Sequence, residues 1–166
     1  MTRIRRLILV EEVVSYLERQ VSETTGTEVC GLLTGRHENS GIALAKTVVN
    51  LPNLSGRRDS FAIDVERFCH EKSKLEKEGQ RLLALYHSHP VGSTRPSFRD
   101  LEIAKITRVV SLILAQTEDG MAAAGFGYGN TRIYPVEVVA CKKKEVPLIT
   151  ALTDQNGDVP RTLRAW

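Results

Sequence analysis

Apolar residues recur along the chain at two spacings, and the switches between them set out the expected elements. Val10, Val13, Val14, Leu17 and Val21 keep helical spacing with polar residues between them, which predicts an amphipathic helix over residues 10–23. Thr24-Thr25-Gly26-Thr27 ends it. Val29-Cys30-Gly31-Leu32-Leu33 is a short unbroken apolar run, expected as a buried strand closed by Gly35. Residues 42–49 read as its hairpin partner across the turn chemistry of Glu38-Asn39-Ser40-Gly41. Residues 50–59 read as a loop, and Ser60-Phe61-Ala62-Ile63 as a short strand. Asp64 is placed to cap a second helix that keeps Val65, Phe68, Cys69 and Leu75 on one side and ends near Gly79.

Residues 81–86 predict another buried strand, residues 97–107 a third helix, and residues 109–115 a further strand. Residues 122–128 and 131–140 predict a closing hairpin around Gly129-Asn130, with Pro135 marking the last strand as an edge or as bulged. Beyond Cys141 the pattern stops. Lys142-Lys143-Lys144, two prolines and the polar 154–158 segment predict a loosely attached tail over 142–166, after one domain over 1–141. The order helix, strands, helix, strand, helix, strands predicts an α/β fold, a mixed β-sheet sandwiched by helices and not a doubly wound parallel one.

Composition narrows the class. A chain of 166 residues suits one domain with a real core, and 42% hydrophobic with 26% charged residues is ordinary for a globular protein. The net charge of +3 is mild and the aromatic content of 5% weighs against a base-stacking surface, so no nucleic acid partner is indicated. Cys30, Cys69 and Cys141 are far apart with no C-x-x-C, which signals neither a zinc knuckle nor a disulfide framework; reduced thiols in the cytoplasm are expected. Arg3, Arg5 and Arg6 before Leu7-Ile8-Leu9-Val10 resemble the start of a signal peptide for a few residues, but Glu11 and Glu12 interrupt it. No apolar run is long enough for a membrane span.

The candidate chemistry lies in Tyr86-His87-Ser88-His89-Pro90 and Pro96-Ser97-Phe98-Arg99-Asp100, which use two of only four histidines. Residues i and i+2 of a strand share a face, so His87 and His89 can aim both imidazoles at one ion. Asp100, in the first turn of the third helix, can complete a His, His, Asp set with an open fourth position, the zinc arrangement that supports hydrolysis. Ser97-x-x-Asp100 also fits a helix capping box. Both roles can hold in part, but a carboxylate committed to metal is less free to cap, so Asp100 is read as a ligand first. The chemistry still needs a proton shuttle, and Glu28 is the best candidate. Cys30 is read as a small core residue, and His37 and His70 as surface.

Glu28 with Cys30-Gly31-Leu32-Leu33-Thr34-Gly35, then His87-Ser88-His89-Pro90, then Pro96-Ser97-x-x-Asp100, closely resembles the JAMM (MPN-plus) metallopeptidase family, in its short prokaryotic form. The resemblance covers about residues 8–140. It implies an MPN domain of cytidine-deaminase-like architecture and one Zn2+ per chain held by His87, His89 and Asp100. It implies Glu28 as general base and then acid, and Ser97 as a hydrogen-bond donor to the attacking water or the oxyanion. The implied substrate is a ubiquitin-like β-grasp protein, cut after its C-terminal glycine, with that protein's activating and conjugating enzymes as further partners. Removal of a C-terminal amino-acid adduct from a sulfur carrier is an alternative, and a non-catalytic MPN scaffold a second. The short segment after Asp100 leaves no room for the insertion that guides one substrate chain in polyubiquitin-cleaving relatives. A zinc deaminase would need H-x-E with P-C-x-x-C, and a thermolysin-like enzyme H-E-x-x-H; all are absent.

Overall fold

The computed structural model describes residues 3–24, 26–90 and 92–141. The expected tail over 142–166 lies outside the described residues. The elements are β1 (Arg6–Val10), α1 (Glu11–Glu23), β2 (Cys30–Asn39), β3 (Ile42–Leu51), α2 (Val65–Lys77), β4 (Arg81–His89), α3 (Phe98–Thr107), β5 (Val110–Thr117), β6 (Gly120–Gly129) and β7 (Arg132–Cys141).

The sheet is mixed, as expected, but it is not an open sheet between helices. It closes on itself in the order β1-β3-β2-β4-β5-β6-β7. The closing strand is β1, which pairs in parallel with β3 on one side and β7 on the other. The apolar run Leu7-Ile8-Leu9, weighed in the sequence only as a signal-peptide start, is this strand. All three residues are buried, as a strand with two parallel partners demands. It passes into α1 with no turn between, Val10 being still extended at φ −67° and ψ 157°.

The helix α1 lays Val13, Leu17 and Val21 against an inner cluster that includes Leu7, Leu33, Tyr86, Leu112 and Val138. Its acidic first turn, Glu11 and Glu12, complements the positive end of the helix dipole. A second cluster, with Cys30, Leu32, Phe61, Leu82 and Leu85, lies on the outer face and takes Phe68 of α2 and Ile103 of α3. Asp64 caps α2 as expected, accepting from the amides of Glu66 and Arg67. Only Leu75 of α2 is buried, however; Cys69 is exposed and Val65 is 70% exposed. No helix among the described residues is long and apolar enough to cross a membrane.

Two strands differ from their sequence reading in ways that matter later. The strand β2 runs through Gly35 to Asn39, with a register shift against β3 at Thr34/Gly35. A Cβ on Gly35 would sit 1.9 Å from the Leu44 carbonyl oxygen, so the glycine permits close strand approach and does not end the strand. The strand β4 continues through both histidines and carries a bulge. Leu33 pairs with Ala84 and Thr34 with Leu82, which leaves Leu83 extra. Residues 60–63, expected as a strand, form none, and Phe61 is buried in irregular backbone.

The β6–β7 hairpin forms as expected, but its turn residues are Asn130 and Thr131, both at positive φ (50° and 63°). Pro135 sits where β7 pairs with β6 alone, since β1 pairs only with residues from Glu137 onward. A β-branched residue in the left-handed region is strained, by roughly 1–2 kcal/mol. Thr131→Gly is therefore expected to stabilise the protein by about 1 kcal/mol, raising the melting temperature by about 2–4 °C in calorimetry. No rise, or a fall, would show that the turn is not strained.

Candidate active site

The register of β2 against β4 builds the site. Cys30 pairs with His87. The ladder then continues through Ser88, whose amide donates to the Val29 carbonyl (2.9 Å) while its hydroxyl accepts from the Val29 amide (3.0 Å). One step further, Glu28 lies beside His89. A gap of some sixty residues in sequence thus becomes a cross-strand neighbourhood. Ser88 alternates with the histidines, so it can hold this junction while they face outward.

The bulge at Leu83 places Leu85, His87 and His89 on the outer face. Phe61 covers His87 there, its ring stacked at 4.4 Å between centroids with the planes 26° apart. His87 is fully buried and His89 partly so. Their Nε2 atoms lie 3.2 Å apart. Asp100 Oδ1 is 3.1 Å from His87 Nε2, and Oδ2 is 3.4 Å from His89 Nε2. Ligand atoms of all three residues fall within 4.8 Å of one another. His89 Nδ1–H donates to the Ser93 carbonyl at 2.8 Å, which turns Nε2 toward the cluster.

This donor set fits a zinc ion: two imidazole nitrogens and one carboxylate, convergent and mostly buried. The Asp100 carboxylate is buried, which alone would raise its pKa. Hydrogen bonds from His87, His89 and Ser97 outweigh that and hold it well below the usual carboxylate range. Burial pushes the His87 imidazole down, against the pull of Asp100, so it favours the neutral form that ligates metal.

Ser97 and Asp100 form the capping box and also face the histidines. The Ser97 amide and hydroxyl both donate to Asp100 Oδ2 (2.7 Å each), and Ser97 Oγ accepts from the Asp100 amide (3.2 Å). One carboxylate therefore takes the capping contacts through Oδ2 and faces His87 through Oδ1. The helix start fixes the rotamer that aims Oδ1 at His87.

Glu28 is 6% exposed and lines a cleft of about 230 Å³ together with His89, Ser97, Asp100, Phe61 and Arg99. Burial pushes its carboxyl up to about 7, with His89 pulling the other way. Asn53, which drew no notice in the sequence, anchors this segment. Its Nδ2 donates to the carbonyls of Glu28 (2.9 Å) and Ser60 (3.1 Å), and its Oδ1 accepts from Ser55 and Ala62. One side chain thus ties the loop carrying Phe61 to the backbone of Glu28. The only available signal was an Asn one residue after Pro52 in a polar loop, which is too common to single out.

Cys30 lies opposite His87 but belongs to the core. Its thiol donates to the Leu51 carbonyl (3.6 Å), and burial raises its pKa to about 11. Iodoacetamide at pH near 8 is expected to label the exposed Cys69 in the native protein and to reach Cys30 only after unfolding. Peptide mapping by mass spectrometry checks this. Early labelling of Cys30 would show an open, reactive thiol at the site.

Residues 10–126 match the family of prokaryotic homologs of the JAB domain. A probable TtuB-protein conjugate cleaving protease from Thermus thermophilus is 35% identical over 98 residues, covering 58% of this chain and 60% of that protein. The chain thus spans about three fifths of that relative's length. The desampylase of Haloferax volcanii is 27% identical over 103 residues, 62% of this chain and 73% of that protein. Two solution structures share the fold. One, of a protein from Desulfitobacterium hafniense, has a TM-score of 0.70 at 22% identity and covers 82% of this chain and 94% of its own. The other, from Salinibacter ruber, has a TM-score of 0.58 at 20% identity, covering 84% and 94%.

Proposed function

The chain belongs to the family of prokaryotic homologs of the JAB domain, and from that premise we propose that it is a zinc-dependent peptidase or isopeptidase. Its substrate is a ubiquitin-like β-grasp protein, cut after the C-terminal glycine. The observation that carries this reading is the convergence of His87, His89 and Asp100 within 4.8 Å, in the cleft that Glu28 also lines. The two relatives, a probable conjugate-cleaving protease and a desampylase, support the same reaction class.

His87, His89 and Asp100 would hold the zinc, one ion per chain. Bound there, zinc supplies Lewis acidity, which polarises a carbonyl and makes water a nucleophile near neutral pH. Glu28 takes the proton from the attacking water and returns it to the leaving amine. A carboxyl poised near neutrality suits both halves of that task. Ser97 donates its hydroxyl proton to the developing oxyanion, turning it away from Asp100 Oδ2, where it rests in this structure. Phe61 shields the back of His87 from water. The tail over 142–166 follows the catalytic domain, and the enzyme works in the cytoplasm, where the cysteines stay reduced.

The test offers the purified, zinc-loaded protein a set of β-grasp proteins bearing a C-terminal peptide, an isopeptide-linked lysine or a single amino-acid adduct, with and without a chelator. Cleavage after the terminal glycine that stops with chelator and returns with zinc is expected. The arm that is cut identifies the bond. Zinc-loaded protein that cuts none of them would overturn the reading.

A further inference from the structure

A second cavity, of about 310 Å³, opens at the other end of the sheet. It lies against the start of β4, at Leu82 and Leu83, whereas the histidines lie at its end. At about 3.3 Å per residue the two sites are about 20 Å apart.

Its chemistry differs from that of the first. Arg3, Arg108 and His37 line it, and no carboxylate among the described residues does. Neither arginine makes an ion pair among the described residues. Arg3 lies over the Tyr134 ring, 3.6 Å from its centroid, and Arg108 lies 5.9 Å from the centroid of Tyr128. His37, read in the sequence as surface, is half-buried, and its Nδ1 is buried without a hydrogen-bond partner. The Tyr134 ring rests on Gly127, where a Cβ would meet ring atoms at 2.3–2.6 Å. Only glycine there lets the ring lie flat against the sheet and form a wall of the cavity. Arg108 reaches the cavity from the left-handed C-cap of α3, where its amide donates to the Ala104 carbonyl.

Two guanidinium groups free of carboxylates attract and orient an anion. Tyr134 is already covered by Arg3 and Gly127, so the Tyr128 ring, which Arg108 approaches only to 5.9 Å, and the apolar floor of Leu82, Leu83 and Val109 are what can receive a flat ring. A volume near 300 Å³ is at the lower end for small-molecule sites. We propose that this cavity binds a small organic anion carried on a planar ring, of the class of nucleoside monophosphates or aromatic carboxylates. Nothing in the proposed hydrolytic reaction uses these residues, so the site stands apart from it.

Calorimetric titration of the full chain tests this with adenosine 5′-monophosphate and with benzoate, the two arms separating a phosphate from a carboxylate carrier. Adenosine and inorganic phosphate are the controls. At least one of the two ligands is expected to bind. Its affinity should fall at least about tenfold in Arg108→Gln and in Arg3→Gln, as loss of a charge-assisted hydrogen bond implies. Arg3 is exposed near the start of the described chain, so its variant folds even if Arg108, the left-handed C-cap of α3, does not tolerate change. Zinc content and hydrolysis should be unchanged in both. The proposal is overturned if neither ligand binds, if both variants bind like wild type, or if adenosine or phosphate alone binds as tightly as the monophosphate.

Discussion

Replacing Glu28 by glutamine is expected to lower turnover by about a thousandfold or more while one zinc per chain stays bound. Glutamine keeps the size of the side chain and leaves the Asn53 hydrogen bond to the residue 28 carbonyl untouched. Only the ability to accept and return a proton is lost. Turnover on the identified substrate and metal content by atomic absorption are the two readouts. A variant that cleaves at the wild-type rate would remove Glu28 from the mechanism. The same substitution has a signature in stability. In the metal-free protein the Glu28 carboxyl titrates near 7, against 4.5 when unfolded. The folded state therefore binds the proton more tightly, and its stability falls as pH rises from about 4.5 to about 7. Burial of the carboxylate costs at most about 3 kcal/mol above that window. Glutamine removes this dependence, so the variant should gain stability over wild type between about pH 5 and pH 8, by denaturant titration of chelator-treated protein. An unchanged difference across that range would mean that the carboxyl is not buried as described.

The second large effect concerns the ligands. His89→Ala should lose zinc affinity by well over about a hundredfold, beyond what loss of an outer partner costs, and with it all activity. Asp100→Asn is more informative, because Asp100 does two things. An asparagine oxygen can still accept from the Ser97 amide, so α3 keeps its N-terminal cap. The melting temperature of the metal-free protein should move little while zinc binding and hydrolysis collapse. If instead zinc stays and the helix loosens, the capping box is the whole role of Asp100 and the ligand set is wrong.

Much of the candidate site was legible because its parts sit on local patterns. Two histidines at i and i+2 on a strand, and Ser-x-x-Asp at a helix start, each have a geometry that follows from spacing alone. Glu28 was legible only through its motif, since no local rule ties residue 28 to residue 89. The β2–β4 register supplies that tie. Phe61 and Asn53 were not legible. Both act from irregular backbone, where no periodicity reports which way a side chain faces. The fold shows the same division. Helices and hairpins follow from spacing and turn residues, whereas β1 was missed and with it the closure of the sheet. Its partners, β3 and β7, pair with it in parallel, and β7 begins more than 120 residues later. Parallel pairing at that distance leaves no mark in a short window of sequence. The same limit hid Leu83 as an extra residue in β4.

That extra residue sets the phase of the strand. Leu82 and His87 share the outer cluster's side although they are five positions apart, an odd count that an unbroken strand forbids. Between them Leu83 and Ala84, adjacent in sequence, both face the inner cluster. The core before the bulge and the chemistry after it therefore run in opposite parity. Substitutions along β4 alter one contact each. Loss of Leu83 itself would restore plain alternation and keep the histidines outward, but loss of a residue between the bulge and His87, with the bulge kept, would exchange every later side chain with its neighbour. Tyr86 and Ser88 would then face the cleft, and both imidazoles would turn toward α1. Through this strand the fold accepts changes of letter far more readily than changes of length.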